Sequence, residues 1–118
     1  MLSRCYLLRP TLWLVLVLIP FNITAKTKEF NLIIENHVFT PSELEIPANE
    51  KVKLIIYNKD NVAEEFDSFD LNREKVVFPG KKTSVFIGPL QEGRYEYFGE
   101  YNPNTARGVI IVEVNYVN

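Results

Sequence analysis

The side chains that could hold a metal ion are concentrated in two segments of this 118-residue chain. One connection carries four carboxylates and a later loop adds a fifth: Glu64, Glu65, Asp67, Asp70 and Glu100. Oxygen ligands suit Fe(III), Mn or Ca, whereas Cu(II) also accepts a mixture of oxygen and imidazole ligands. Acidic clusters in loops are usually solvated surface, so the charge pattern alone leaves both interpretations open.

Imidazole and thiol groups are scarce. His37 is the only histidine, and it lies near a turn, where a lone histidine is more often a surface residue than a ligand. Cys5 is the only cysteine, and there is no Gly-x-Ser-x-Gly segment. These observations argue against a hydrolase of the Ser-His or Cys-His type. The five glycines are scattered through turns and form neither a phosphate-binding loop nor a dinucleotide fingerprint.

The N-terminus predicts export. Arg4 and Arg9 lead into an apolar run, residues 12–19, and no acidic residue precedes it, as in a signal peptide. The run is shorter than the roughly 18 apolar residues that a transmembrane helix needs. We therefore expect residues 1–25 to be a signal peptide cleaved after Ala25. Residues 26–118 would be one domain, periplasmic or otherwise exported and not membrane-spanning after cleavage; an uncleaved anchor is the alternative.

The expected exported domain is acidic and lacks thiols. Without residues 1–25 the chain keeps 11 basic residues against 15 acidic ones, a net charge of −4 compared with −2 for the whole chain. This balance argues against nucleic acid as a partner. No disulfide can form within residues 26–118, so the domain must depend on a well-packed core.

Periodicity predicts an all-β fold. Phe30, Leu32 and Ile34 alternate with other residues, as in a strand with one face toward a core. Similar segments recur at 44–46, 52–56, 76–78, 83–87, 94–98 and 109–114. About seven strands at turn spacings of about 8 to 12 residues are typical of a two-sheet sandwich. Residues 79–82 predict a hairpin-like connection, 64–71 either a helical turn or an irregular strand, and 104–107 one helical turn.

Two segments resemble the fingerprint of cupredoxins. Residues 95–114, YEYFGEYNPNTARGVIIVEV, place Gly99, Asn102 and Thr105 where blue-copper members carry cysteine, histidine and methionine. Residues 58–66, NKDNVAEEF, place Glu64 at the first histidine of the copper site. The resemblance implies that all four copper ligands are replaced. It therefore excludes a type 1 blue-copper centre, for which a thiolate is the defining ligand.

Four segments in order, FTPSELEIPAN, EEFDS, LNREKVVFPG and GRYEYFGEYNPNTARG, are similar to the EfeO-type cupredoxin-like family of bacterial periplasms. The similarity covers residues 30 to 113. It implies that the fold is a cupredoxin-like Greek-key β-sandwich. It also implies that the protein is an exported accessory of a metal uptake system, and that the metal taken up is ferrous iron in preference to others. Its partners would be one iron or copper ion and the periplasmic or membrane components of that system.

The candidate metal ligands are Glu64, Glu65, Glu100, Asn102 and His37. Position matching favours Glu64, but strand alternation sends Glu64 and Glu65 to opposite faces, and Glu65 remains a rival. Two alternatives stay open beside metal handling. The first is a docking module that binds a permease or another periplasmic partner without a metal, and the second is a copper carrier whose ligands come from a partner or from His37.

Two arginines are expected in the first place to have a structural role. Arg73 and Arg107 are expected to fix loop geometry through bidentate hydrogen bonds to carboxylates. The alternative is that one of them belongs to a docking face for a partner protein.

Overall fold

The computed structural model describes residues 3–4, 7–24 and 26–117. Residues 7–24 are exposed and have no regular secondary structure, and Ala25, the expected cleavage residue, lies outside the described residues. The signal peptide therefore stays a prediction. None of the described residues belongs to a helix that is long and apolar enough to cross a membrane.

Nine strands form two sheets that pack face to face. The strands are β1 Lys28–Glu35, β2 Val38–Thr40, β3 Glu43–Pro47, β4 Val52–Asn58, β5 Glu64–Ser68, β6 Arg73–Val77, β7 Lys82–Ile87, β8 Gly93–Gly99 and β9 Arg107–Glu113. One sheet has the order β2-β1-β4-β7 and the other β3-β9-β8-β5-β6. The pairs β1–β4 and β3–β9 are parallel, and the other pairs are antiparallel. The predicted all-β sandwich is confirmed.

The strand alternation read from the sequence builds the core. Leu32 and Ile34 of β1 are fully buried, and their register partners Ile56 and Asn58 of β4 are buried beside them. The opposite sheet contributes Ile110 and other side chains to the same cluster. Among the described residues, every strand and every residue of the buried core lies between positions 28 and 113, within the expected domain 26–118.

Three local expectations need correction. Two more strands exist than the seven expected, namely β2 and β5, and β5 begins the segment 64–71, for which a strand was one of the two predicted alternatives. Residues 104–107 form turns and the start of β9 rather than helix. The connection 79–82 is not a hairpin, because β6 belongs to the five-stranded sheet and β7 to the four-stranded sheet. Turn-forming residues indicate that the chain changes direction, but not which sheet it enters.

Arg73 fixes the crossing between the sheets. Its Nε donates a hydrogen bond to the carbonyl oxygen of Phe86 in β7 at 3.0 Å, and its Nη1 donates to the carbonyl oxygen of Asn72 at 2.9 Å. The structural interpretation of Arg73 is therefore confirmed, but its partners are backbone carbonyls and not a carboxylate.

Tyr97 is the largest fully buried side chain, and it depends on a glycine opposite. Its ring packs against Phe39 and Phe66 with centroid distances of 5.1 and 5.2 Å, and its hydroxyl donates to the carbonyl oxygen of Pro41. Burial raises the pKa of Tyr97, which keeps the hydroxyl protonated as a donor. A Cβ atom on Gly108, the register partner of Tyr97, would lie 2.2 Å from the ring. Any side chain at position 108 would collide with the Tyr97 ring, so only glycine fits there.

We expect Gly108→Ala to destabilise the domain by about 1–3 kcal/mol, because the added methyl group overpacks the core and displaces the Tyr97 ring. Urea unfolding of residues 26–118 measures this change. Ser84→Ala, at an exposed position of β7, is the control and should shift stability by less than about 0.5 kcal/mol. Equal stability of the two variants would contradict the packing argument.

Candidate functional site

Glu64 points into the sandwich from the first position of β5, with only 1% of its surface exposed. Three N–H groups bind its carboxylate. The backbone amides of Glu65 and Tyr101 donate to Oε1, both at 2.9 Å, and Nδ2 of Asn102 donates to Oε2 at 2.8 Å. A buried carboxylate is costly unless it is hydrogen-bonded, and these donors supply that compensation. The structure thus brings together two of the candidate residues, which we call the Glu64–Asn102 pair.

Backbone hydrogen bonds shape the loop that presents Asn102. The amide of Gly99 donates to the carbonyl oxygen of Ala106 at 2.8 Å, and the amide of Ala106 donates to that of Asn102 at 2.9 Å. At the start of the loop, the amide of Glu100 donates to the carbonyl oxygen of Glu65 at 2.9 Å. The loop between β8 and β9 is therefore closed on itself and fastened to β5. Glu100 takes part through its backbone, while its side chain is exposed.

The position that the resemblance assigns to a thiolate has no room for a side chain. A Cβ atom on Gly99 would lie 2.6 Å from Cδ of Glu64 and 2.7 Å from Cβ of Ala106. The Glu64 carboxylate thus fills the space in front of Gly99. An ionised carboxylate has about four acceptor positions. Three donors already face this one, two at Oε1 and one at Oε2, so about one acceptor position, on Oε2, is left for any further partner.

Asn58 and Asp60 hold the connection that leads to Glu64. Nδ2 of the buried Asn58 donates to the carbonyl oxygens of Val62 and Val77, and its Oδ1 accepts from the amide of Asp60. The resemblance matched this segment, but the sequence alone indicated only a turn. Its signal was the short-range pattern of Asn and Asp side chains, which commonly bond to nearby backbone.

His37 lies in the two-residue turn between β1 and β2, which is built on positive φ angles of 53° at Asn36 and 58° at His37. Both backbone amides donate to the carboxylate of Asp60, at 2.7 and 3.0 Å. Nδ1 of His37 is 3.7 Å from the same carboxylate, and its side chain is 45% exposed. His37 is thus associated with Asp60, and its described contacts do not include the Glu64–Asn102 pair.

A separate acidic cluster lies on the outer face of the five-stranded sheet. Within the described residues, Glu65, Asp67 and Glu74 each offer a carboxylate oxygen within 4.8 Å of the others. Asp67 and Glu74 are register partners on β5 and β6. The sequence indicated Glu65 and Asp67, but it missed Glu74, because alternation does not reveal which residues of two strands face each other.

Tyr101 borders both groups. Its amide binds Glu64, while its side chain is 53% exposed. Desolvation and, after it, the negative charges of Glu65, Glu64 and Glu100 raise the pKa of Tyr101.

Asn102→Ala should destabilise the domain by about 1–3 kcal/mol, because Oε2 of the buried Glu64 loses its donor. Thermal or urea unfolding of residues 26–118 tests this. Asn104→Ala, two positions along the same loop at an exposed residue, is the matched control. If both substitutions had the same small effect, the Glu64–Asn102 hydrogen bond would not stabilise the loop.

Comparison with known proteins identifies the family to which this chain belongs. The model of the cupredoxin-like domain family matches residues 9–112. An uncharacterized protein of Rickettsia prowazekii (strain Madrid E) is 44% identical over 84 residues, which cover 71% of this chain and 67% of that protein.

Two solved structures share the fold. Auracyanin A, described as a "blue" copper protein from Chloroflexus aurantiacus, matches with a TM-score of 0.65 and 12% identity over 75% of this chain and 100% of its own. A chain in the cryo-EM structure of a heme-copper terminal oxidase dimer matches with a TM-score of 0.61 and 22% identity over 73% of this chain. This chain spans 65% of the length of that oxidase chain. Since the family model covers most of its length, this chain belongs to the cupredoxin-like domain family.

Proposed function

We propose that this protein is an exported accessory of a membrane system for metal handling, and that it acts by docking and not through a copper ion at the usual position. The observation that carries the proposal is the Glu64 carboxylate with its three N–H donors. This hydrogen-bonded group occupies the place where the resemblance puts the metal ligands. Because protein N–H groups already bind this carboxylate, the loops around it keep their conformation without a metal ion.

The residues also argue against copper-based electron transfer. Type 1 copper needs a thiolate, and the position for it is Gly99, where a side chain would collide with Glu64 and Ala106. The described contacts of His37, the one imidazole, are with Asp60. The features of a cupredoxin that this chain keeps are the two-sheet sandwich and its surface.

The kind of system served is proposed from the sequence. The similarity to the EfeO-type family supports iron uptake, with the periplasmic or membrane components of the uptake system as partners. The basic and apolar N-terminal segment supports export to the periplasm. That one structural neighbour is a chain of a heme-copper terminal oxidase dimer is compatible with an accessory of a membrane complex.

Handling of a metal ion by the acidic cluster is the second candidate function. Glu65, Asp67 and Glu74 converge within 4.8 Å, and carboxylate oxygens suit Fe(III) or Mn(II). In this alternative the protein would carry one iron or copper ion on its outer face, away from the Glu64–Asn102 pair. Glu100 and Asn102 would then take no part in binding.

Calorimetric titration of residues 26–118, made without a histidine tag, with Fe(III)-citrate, Cu(II) and Mn(II) separates these functions. We expect no stoichiometric binding that depends on Glu64 and no blue charge-transfer absorption with Cu(II). Binding of one ion that is lost in Glu64→Ala would overturn the proposal and restore a metal site at the usual position. Binding that is lost in Glu74→Gln but kept in Glu64→Ala would establish the second candidate.

A further inference from the structure

The outer face of the five-stranded sheet carries an aromatic pair beside the acidic cluster. Phe69 follows β5 and is 80% exposed, and its ring lies 5.4 Å from that of Phe98 on β8, centroid to centroid. Phe98 pairs in register with Asp67 on one side and with Arg107 on the other. The groove over this pair, with a volume of about 280 Å³, is lined by Phe69, Asp70, Glu96, Phe98, Pro103 and Arg107. We call it the Phe69 groove.

Carboxylates outnumber cations in the lining of the groove, where Asp70 and Glu96 lie with one arginine, Arg107. Asp70 and Glu96 line it, and Phe98 separates it from Asp67 and the rest of the acidic cluster. Among the described residues, the salt bridges are Lys28–Glu50, Lys53–Glu29 and His37–Asp60, and none of them lies on this face. Among the described residues, Arg107 is the single cation of the groove lining, and Arg94 lies in the adjoining depression beside Glu96. Glu74 and Glu96 are exposed and form no salt bridge among the described residues, so their carboxylates are available to cations from outside the molecule.

Two aromatic rings of the four-stranded sheet, those of Phe86 and Tyr57, have lysines over them. Lys51 lies over Phe86 at 4.5 Å from the centroid, and Lys82 and Lys59 lie near Tyr57 at 5.2 and 5.8 Å. In the part of the chain that the structure describes, Phe69 and Phe98 have no such lysine. An ammonium group over a ring is attracted by the ring's electron-rich face. The Phe69 groove thus lacks the cationic cover that the four-stranded sheet provides for its own rings.

From this uncovered ring pair and the excess of carboxylates over arginines around it, we propose that the Phe69 groove and the acidic cluster form a docking surface for a lysine- or arginine-rich segment of a partner protein. The partner's cations pair with Glu65, Glu74 and Glu96, while an apolar side chain between them packs on Phe69. Arg107 borders the groove and limits how far the cationic segment extends. This inference rests on the proposed docking role and specifies the chemistry of the partner.

Chemical-shift mapping of ¹⁵N-labelled residues 26–118 tests the surface. The probe is an amphipathic peptide with lysines around a central leucine, and the matched peptide carries glutamates in place of the lysines. We expect the lysine peptide to shift amides in residues 65–74 and 96–107 and to bind more weakly as salt increases, since the charges are exposed to solvent. Absence of binding, or shifts centred on the four-stranded sheet, would overturn the proposal.

Variants on the same face make the test specific. The double variant Glu65→Gln, Glu74→Gln should weaken the lysine peptide by about tenfold. Phe69→Ser should weaken it by about fivefold, through loss of the ring. Glu35→Gln and Phe86→Ser, both at exposed positions of the other sheet, are the matched controls and should leave the affinity unchanged. If the control variants weakened peptide binding to the same extent, the effect would depend only on net charge, and the proposal would be overturned.

Two further outcomes identify other occupants. If Mn(II) bound the acidic cluster stoichiometrically and blocked the peptide, this face would be a metal site and the docking proposal would be overturned. If sedimentation showed a dimer that Phe69→Ser dissolves, the occupant would be a second copy of the chain, which also overturns it. Peptide mapping does not depend on Glu64, so a failure here is distinct from the Glu64-dependent metal binding that would refute the proposed function.

Discussion

The carboxylate of Glu64 is the group on which the geometry of this end of the sandwich depends. It is buried, so it must be hydrogen-bonded, and its donors come from β5 itself and from the loop between β8 and β9. That loop can deliver them because the backbone bonds between Gly99, Asn102 and Ala106 close it. Gly99 must lack a side chain, because the carboxylate takes the space in front of it. The buried carboxylate, the closed loop and the glycine at position 99 therefore depend on one another.

This arrangement explains how a cupredoxin-like sandwich can persist without copper ligands at the usual position. In a metal centre the ion joins the loops, whereas here a carboxylate and an amide join them through hydrogen bonds. The β4–β5 connection is held in the same way, through Asn58 and Asp60 rather than through a ligand.

The two outer faces differ in chemistry. On the four-stranded sheet, lysines cover the rings of Tyr57 and Phe86. On the five-stranded sheet, carboxylates surround Phe69, and the ring is exposed to solvent. The five-stranded sheet is therefore the face on which we propose that a partner protein docks.

The sequence by itself determined the all-β class, the buried sides of the long strands and the absence of a thiolate centre, because period-two alternation and residue chemistry are local properties. It also indicated that Glu64 and Glu65 point to opposite faces. Only the tertiary structure decided that β6 and β7 lie in different sheets, that Glu74 faces Asp67, and that Asn102 reaches Glu64. Register and sheet order result from the packing of all nine strands at once, and alternation along a single strand carries no information about either.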